Sequence, residues 1–300
     1  MSFIFILIIL ALIYAITKMT EKKKNRNAAG REKEGGGRRL GDRSGSKCHP
    51  ALCNPDRFKT TQEVTKALRT AGLESSNLLF AVDFTKSNLQ QGERTFGNRS
   101  LHHIDPIISN PYQKVMSLLG QTLAPFDEDN LIPAYGFGDI TTKDRAVFSF
   151  NPGEQPCHGT QQVLERYSQI VPQTQLSGPT SFAPAIDKAV EIVKHHRSYH
   201  ILVIIADGQV TSEKATRDAI VRAANYPLSI VVVGVGDGPW DMMKEFDDSI
   251  PARKFDNFQF VDFHRSVSGS DFPDASFSLH ALMEIPDQFT AIRQLGLLDF

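Results

Sequence analysis

Residues 77–88 read NLLFAVDFTKSN. Leu78 to Val82, with Phe84 just beyond, carry only apolar side chains, and the run then gives way to Asp83, Thr85, Lys86 and Ser87. A continuous apolar run of this length fits a strand covered on both faces. Its carboxyl end holds a carboxylate and two hydroxyls spaced two residues apart, oxygen donors that have no place in an apolar core. Residues 200–208, HILVIIADG, repeat the pattern: an apolar strand that ends in Asp207 and Gly208.

Working outward, further strand candidates are LIPAYGFG (131–138), AVFSF (146–150), LSIVVVGVG (228–236) and FQFVDF (258–263). Between them the apolar period becomes helical. TTQEVTKALRTAGL has a Thr/Gln/Glu start, apolar residues at Val64, Ala67, Leu68 and Ala71, and a stop at Gly72. Helices are also predicted near 110–122, 159–170, 183–196, 212–224 and 240–248, with closing helices in 276–298. This alternation predicts an α/β fold, a doubly wound, mostly parallel six-stranded sheet flanked by helices. AVFSF follows its predecessor so closely that it is expected as an antiparallel edge strand.

In such a sheet, ligands bind outside the carboxyl ends of the strands, where the strand order reverses. Asp83 and Asp207 are therefore expected in one crevice. Thr180 is a third hydroxyl candidate, in QLSGPTSFAP, where Gly178-Pro179 makes a rigid turn. Asp83, Thr85, Ser87, Thr180 and Asp207 would form an all-oxygen shell without His or Cys. Such a shell suits a hard cation, Mg²⁺ first, with Mn²⁺ or Ca²⁺ as alternatives; zinc would recruit imidazole or thiolate. Asp139, after Gly136-Phe137-Gly138, and the glycines Gly178 and Gly208 are expected just outside that shell or against a partner. Helix capping is the plainer reading of the two aspartates, but it leaves the five-residue set unexplained.

DFTKS, with a distant Thr and a distant Asp, resembles the metal-ion-dependent adhesion site of von Willebrand factor A domains, usually written DxSxS. More narrowly, DFTKSN, SLHHI, NPYQKV, AYGFGD, QLSGPTSFAP, IIADGQVT, YPLSIVVVGVGDGPWDMM and FQFVDF resemble the copine-type A domain, closest to that of the plant RING domain ubiquitin ligases. The resemblance runs from about Asp56 to Leu298. It implies that Ser87, Thr85 and Thr180 coordinate the metal, and that Asp83 and Asp207 do so directly or through water. Thr85 replaces the first Ser of the usual pattern and keeps its hydroxyl. A carboxylate from a protein partner would complete the shell, so the implied role is binding rather than catalysis.

The 300 residues carry a net charge of −1, which hides a division. Residues 18–47 hold eleven Lys/Arg against four Asp/Glu, a local +7, and the remainder is therefore −8. A mildly acidic domain argues against nucleic acid as a partner. Met1 to Thr17 contain no charge, and as a helix at ~1.5 Å per residue would be about 25 Å long. With the basic residues after it, the segment is expected to anchor the chain in a plasma or endomembrane, the domain lying in the cytoplasm. A chain free in cytoplasm or nucleus is the alternative. The expected organisation is an apolar anchor (1–17), a basic flexible linker (18–55) that can also meet anionic lipid, and the A-type domain (56–298).

Other signals are weaker. Gly234-Val235-Gly236-Asp237-Gly238 lacks GxGxxG spacing and reads as a tight turn, with Trp240 packed over it. His102-His103 and His195-His196 are adjacent pairs whose side chains should point apart. No G-x-S-x-G is present, so a serine hydrolase is disfavoured. Three cysteines, Cys48, Cys53 and Cys157, make no disulfide framework, and no zinc-binding Cys/His array follows Cys157. A scaffold or regulator in ubiquitin signalling is therefore expected ahead of a ligase whose RING has been lost.

Overall fold

Strand β1 (Asn77–Asp83) is buried from Leu78 onward, because consecutive side chains point to opposite faces of a sheet that is covered on both. The remaining strands are β2 (Leu131–Ile132), β3 (Ala134–Phe137), β4 (Phe148–Ser149), β5 (Cys157–His158), β6 (His200–Ala206), β7 (Leu228–Gly234) and β8 (Phe258–Asp262). Six of them form one sheet in the order β4-β3-β1-β6-β7-β8. Neighbours are parallel throughout except at the edge, where β4 runs antiparallel to β3. The fold is thus the expected α/β sheet with one antiparallel edge strand. This computed structural model describes His49, Leu52, residues 57–250 and residues 253–298.

Nine α-helices accompany the strands among the described residues: α1 (Thr61–Thr70), α2 (Pro111–Leu123), α3 (Gly159–Ile170), α4 (Ala183–His196), α5 (Glu213–Ala223), α6 (Asp241–Ser249), α7 (Phe263–Val267), α8 (Pro273–Leu282) and α9 (Ile285–Gln294). Their starts follow local chemistry. Thr60 caps α1 by accepting from the Glu63 amide, and Asn110 and Gln113 form a reciprocal capping box at α2.

The two-residue period of the strands divides the core. Leu78, Phe80, Val82, Ile201, Val203, Ile205, Val231 and Val233 pack on one face with residues of α1, α2, α3, α8 and α9, including Val64, Met116, Val163, Phe277 and Phe289. Leu79, Ala81, Leu202, Ile204, Ile230 and Val232 pack on the other with α4, α5 and α6, through Ile186, Val193, Ile220, Met243 and Phe246. Burying one such aliphatic or aromatic side chain contributes roughly 1.5–3 kcal/mol.

Two sequence readings change. LIPAYGFG is not one strand, because Pro133 has no amide to continue a ladder. Leu131 and Ile132 pair instead with His158 and Cys157 in a separate two-stranded sheet, and only Ala134–Phe137 join β1. The membrane placement is also corrected. Among the described residues no helix is long and apolar enough to cross a membrane. The longest of them, α4, has 14 residues and presents Asp187, Lys188, Glu191 and Lys194, short of the ~20 apolar residues that a span requires. Segment 1–17, on which the anchor rested, lies outside the described residues, as does most of 18–55.

The central strand should be the most sensitive to truncation. Ile204→Ala in β6, where the side chain is fully buried, is expected to lower stability by about 2–5 kcal/mol. Ile107→Ala, at a side chain 90% exposed, should change it by less than about 0.5 kcal/mol. Urea unfolding of the two variants checks both.

Candidate functional site

The chain passes from β1 to β3 on one side and returns to β6 on the other, so the strand order reverses between β1 and β6. Val82 lies opposite Ile205 in that pair. Asp83 and Asp207 therefore emerge beside each other at the carboxyl ends of adjacent strands. Both are buried, Asp83 completely.

The five predicted donors come together as follows. Asp83 Oδ1 accepts from the Thr85 amide at 2.8 Å, a local turn that aims the following hydroxyls. Thr85 Oγ1 and Ser87 Oγ are 3.0 Å apart, and Ser87 Oγ donates to Asp207 Oδ1 at 3.0 Å. The Thr180 loop is brought in by backbone pairing. Thr85 bridges Ser177 in parallel, the Lys86 amide donates to Ser177 O at 2.7 Å, and the Thr211 amide donates to Thr180 O at 2.9 Å. Thr85, Ser87, Gly178, Thr180, Asp207 and Gly208 line one cavity of about 370 Å³ with Gln91, Gln209 and Thr211.

Two atoms are left over. Asp83 Oδ2 and Asp207 Oδ2 are sealed from solvent and have no hydrogen-bond partner. An unpaired carboxylate oxygen in that position is costly unless a cation or a proton meets it. Accordingly, burial first and the neighbouring Asp207 second push the Asp83 carboxyl well above its ordinary range, against the opposing hydrogen bonds from Thr85. Burial raises Asp207 to about 6, opposed by the Ser87 hydrogen bond. Among the described residues no group of three or more His, Cys, Asp or Glu is placed to hold a metal. The donor set here is instead two carboxylates and three hydroxyls, the hard-oxygen chemistry of Mg²⁺, Mn²⁺ or Ca²⁺.

Asp139 is placed differently. Its Oδ2 accepts from the amide and hydroxyl of Thr141 at 3.1 and 2.6 Å, and its Oδ1 from the amide and hydroxyl of Thr142. Burial opposes ionisation, but these four donors hold the carboxyl below its usual value. Its oxygens are thus engaged within its own turn. Its neighbour Gly138 matters more to the site, because a Cβ there, at φ +82, would lie 2.5 Å from Thr85 Cγ2.

Several supporting residues escaped the sequence reading. Gly236 lets its turn approach the site, since a Cβ would come within 2.6 Å of the Asp207 carbonyl. Trp240 packs over the same turn as expected, its ring 2.7 Å from where a Gly234 Cβ would sit. Asn88 donates to the Asp83 and Thr85 carbonyls at 3.3 and 3.0 Å, and Tyr112 donates to Asn88 Oδ1 at 2.7 Å. His102 is buried, and burial lowers its imidazole to about 4. Its only sequence signal was a pair of adjacent histidines.

The copine family model matches residues 100–299. Copine family protein 2 of Caenorhabditis elegans is 56% identical over 248 residues, covering 82% of this chain and 3% of that protein. E3 ubiquitin-protein ligase RGLG5 of Arabidopsis thaliana is 56% identical over 259 residues, 81% of this chain and 60% of that protein. E3 ubiquitin-protein ligase RGLG3 of the same plant is 53% identical over 257 residues, 80% of this chain and 70% of that protein. The chain thus spans between a small fraction and about two thirds of these relatives. Among solved structures, manganese-loaded Plasmodium vivax TRAP protein matches with TM-score 0.43 and 14% identity, covering 65% of this chain and 71% of that one. A mussel byssus proximal thread matrix protein with a zinc-occupied MIDAS motif matches with TM-score 0.43 and 12% identity, covering 73% and 46%. Likenesses of that size say nothing about function here.

The raised carboxyls set a pH dependence. Both aspartates bind a proton more tightly folded than unfolded, so without metal their contribution to stability is present at low pH. It is lost as pH rises from about 4 through about 6, the value for Asp207. In EDTA, Asp207→Asn should therefore gain stability relative to the parent as pH rises from 4.5 to 7. Urea midpoints across that range measure the difference.

Proposed function

The chain belongs to the copine family, and on that premise we propose that residues 56–298 act as a divalent-cation-dependent protein-binding module. Asp83, Thr85, Ser87, Thr180 and Asp207 hold one hard cation, Mg²⁺ being the expected ion. One observation carries this reading: two buried carboxylates, Asp83 bonded by the Thr85 amide and Asp207 by the Ser87 hydroxyl, which itself meets the Thr85 hydroxyl, each keep an unpartnered oxygen. Like charges so close and so buried favour protonation unless a cation neutralises them. A bound cation supplies that neutralisation and a coordination position that a partner carboxylate can fill. Gly178 and Gly208, which have no side chain to obstruct the cavity mouth, are the places where a partner's backbone can come close. The mildly acidic remainder of the chain fits a protein partner better than nucleic acid.

A second reading is favoured by the names of the relatives. The Arabidopsis proteins that share 53–56% identity with this domain are E3 ubiquitin-protein ligases. In this reading the domain recruits substrate, and ubiquitin transfer is carried out by a separate zinc-binding module of a longer protein or of a partner. The two readings share the cation site and differ in the fate of whatever it binds.

Calorimetric titration with Mg²⁺ and with Mn²⁺ tests the site. The parent should bind one ion, and affinity should increase as pH rises through about 6, because the cation displaces protons from Asp83 and Asp207. Asp83→Ala combined with Thr180→Ala should lose roughly 100-fold or more in affinity while keeping its circular dichroism. Unchanged binding in that variant would refute the site. Capture of partners with and without EDTA, followed by a ubiquitination assay on what is captured, separates the two readings.

A further inference from the structure

The Asp83 main chain is held from behind by buried polar groups that the cation reading does not use. His102 Nε2 lies 2.8 Å from the Asp83 carbonyl oxygen, and its Nδ1 lies 2.8 Å from the Tyr167 hydroxyl. A carbonyl only accepts, so Nε2 carries the proton. Nδ1 of the neutral ring then accepts from the Tyr167 O–H. The Tyr167 oxygen in turn accepts from Asn110 Nδ2 at 3.2 Å. One direction of donation therefore runs from Asn110 through Tyr167 and His102 into the Asp83 carbonyl.

The ring has no freedom to turn. It stacks on Phe84 with centroids 4.7 Å apart and planes 6° apart, and on Tyr112 at 4.3 Å and 12°. The same carbonyl receives a second donor from Asn88, which Tyr112 holds in place. Asn110 caps α2, Tyr112 lies in its first turn and Tyr167 lies in α3. The backbone that carries Asp83, Thr85 and Ser87 is thus tied to the start of α2 and to α3 through residues that do not line the cavity.

From this arrangement we infer that His102 is a positioning residue for the cation site, fixing the Asp83 main chain so that its carboxylate and the hydroxyls of Thr85 and Ser87 converge. This rests on the cation reading above. Hydrogen-bond partners one step behind a metal ligand set its orientation, and losing one commonly costs about 10–100-fold in metal affinity. His102 touches no ion in this scheme. It acts through the Asp83 backbone.

The test is calorimetric titration of the full chain with Mn²⁺ and Mg²⁺ in four forms: parent, His102→Leu, His102→Gln and Tyr167→Phe. Gln can present an N–H where Nε2 sits, so His102→Gln should stay within about 3-fold of the parent. His102→Leu should lose about 10–100-fold. Tyr167→Phe removes only the hydroxyl that orders the ring and should lose less than His102→Leu. It also keeps the test decisive if His102→Leu fails to fold. Nitrogen-15 spectra of the parent at pH 7 should show His102 neutral with the proton on Nε2. Equal affinity in the parent, His102→Leu and Tyr167→Phe, or a proton found on Nδ1, would overturn the inference and leave the cation site standing. A parent that binds neither ion removes the cation reading, and the positioning role with it.

Discussion

Asp83 and Asp207 stand side by side because β1 and β6 are adjacent parallel strands whose register sets Val82 against Ile205. Two carboxylates in that position repel each other and have been taken out of water, so each is held by donors on one oxygen and left bare on the other. The surrounding architecture serves this constraint. Ser87 bonds one carboxylate, the Thr85 amide bonds the other, and the Thr180 loop is drawn alongside by backbone pairing at Ser177. A fold with a different strand order would scatter the same residues.

The glycines and aromatics around the site follow from the same geometry. Gly138 and Gly236 stand where any side chain would strike Thr85 or the Asp207 carbonyl. On the opposite side, His102 is clamped between Phe84 and Tyr112, so the loop is held by packing as well as by hydrogen bonds. Space is open at Gly178 and Gly208 at the cavity mouth, and packing is dense around His102.

The fold was largely legible from the sequence. Each of the six strand candidates contributes a strand to the main sheet, and helices lie close to every stretch of helical period. Covered parallel strands announce themselves as unbroken apolar runs, and a helix buries one face at a period of 3.6. The exceptions have local causes. Pro133 splits a strand by lacking an amide, and the pairing of Leu131 and Ile132 with a two-residue strand is too short to leave a pattern. Asp139, expected just outside the shell or against a partner, bridges Leu176 in the strand-like segment before Thr180, and its carboxylate is held by Thr141 and Thr142, a local detail that no sequence pattern carries. The membrane placement rested on segment 1–17, and no helix among the described residues supports it.

By itself the sequence determined which oxygen donors were available and which strands they terminated, because residue type and apolar period are local properties. The tertiary structure alone decided which donors meet and which are engaged elsewhere. Convergence of Thr85, Ser87 and Asp207 depends on strands 120 residues apart being neighbours. His102 and Tyr167 are 65 residues apart in the chain, and the bond between them, like that of His102 to the Asp83 carbonyl, depends on how α3 and the loop before α2 pack beside β1. Such contacts are set by burial across the whole domain, and no window of sequence contains them.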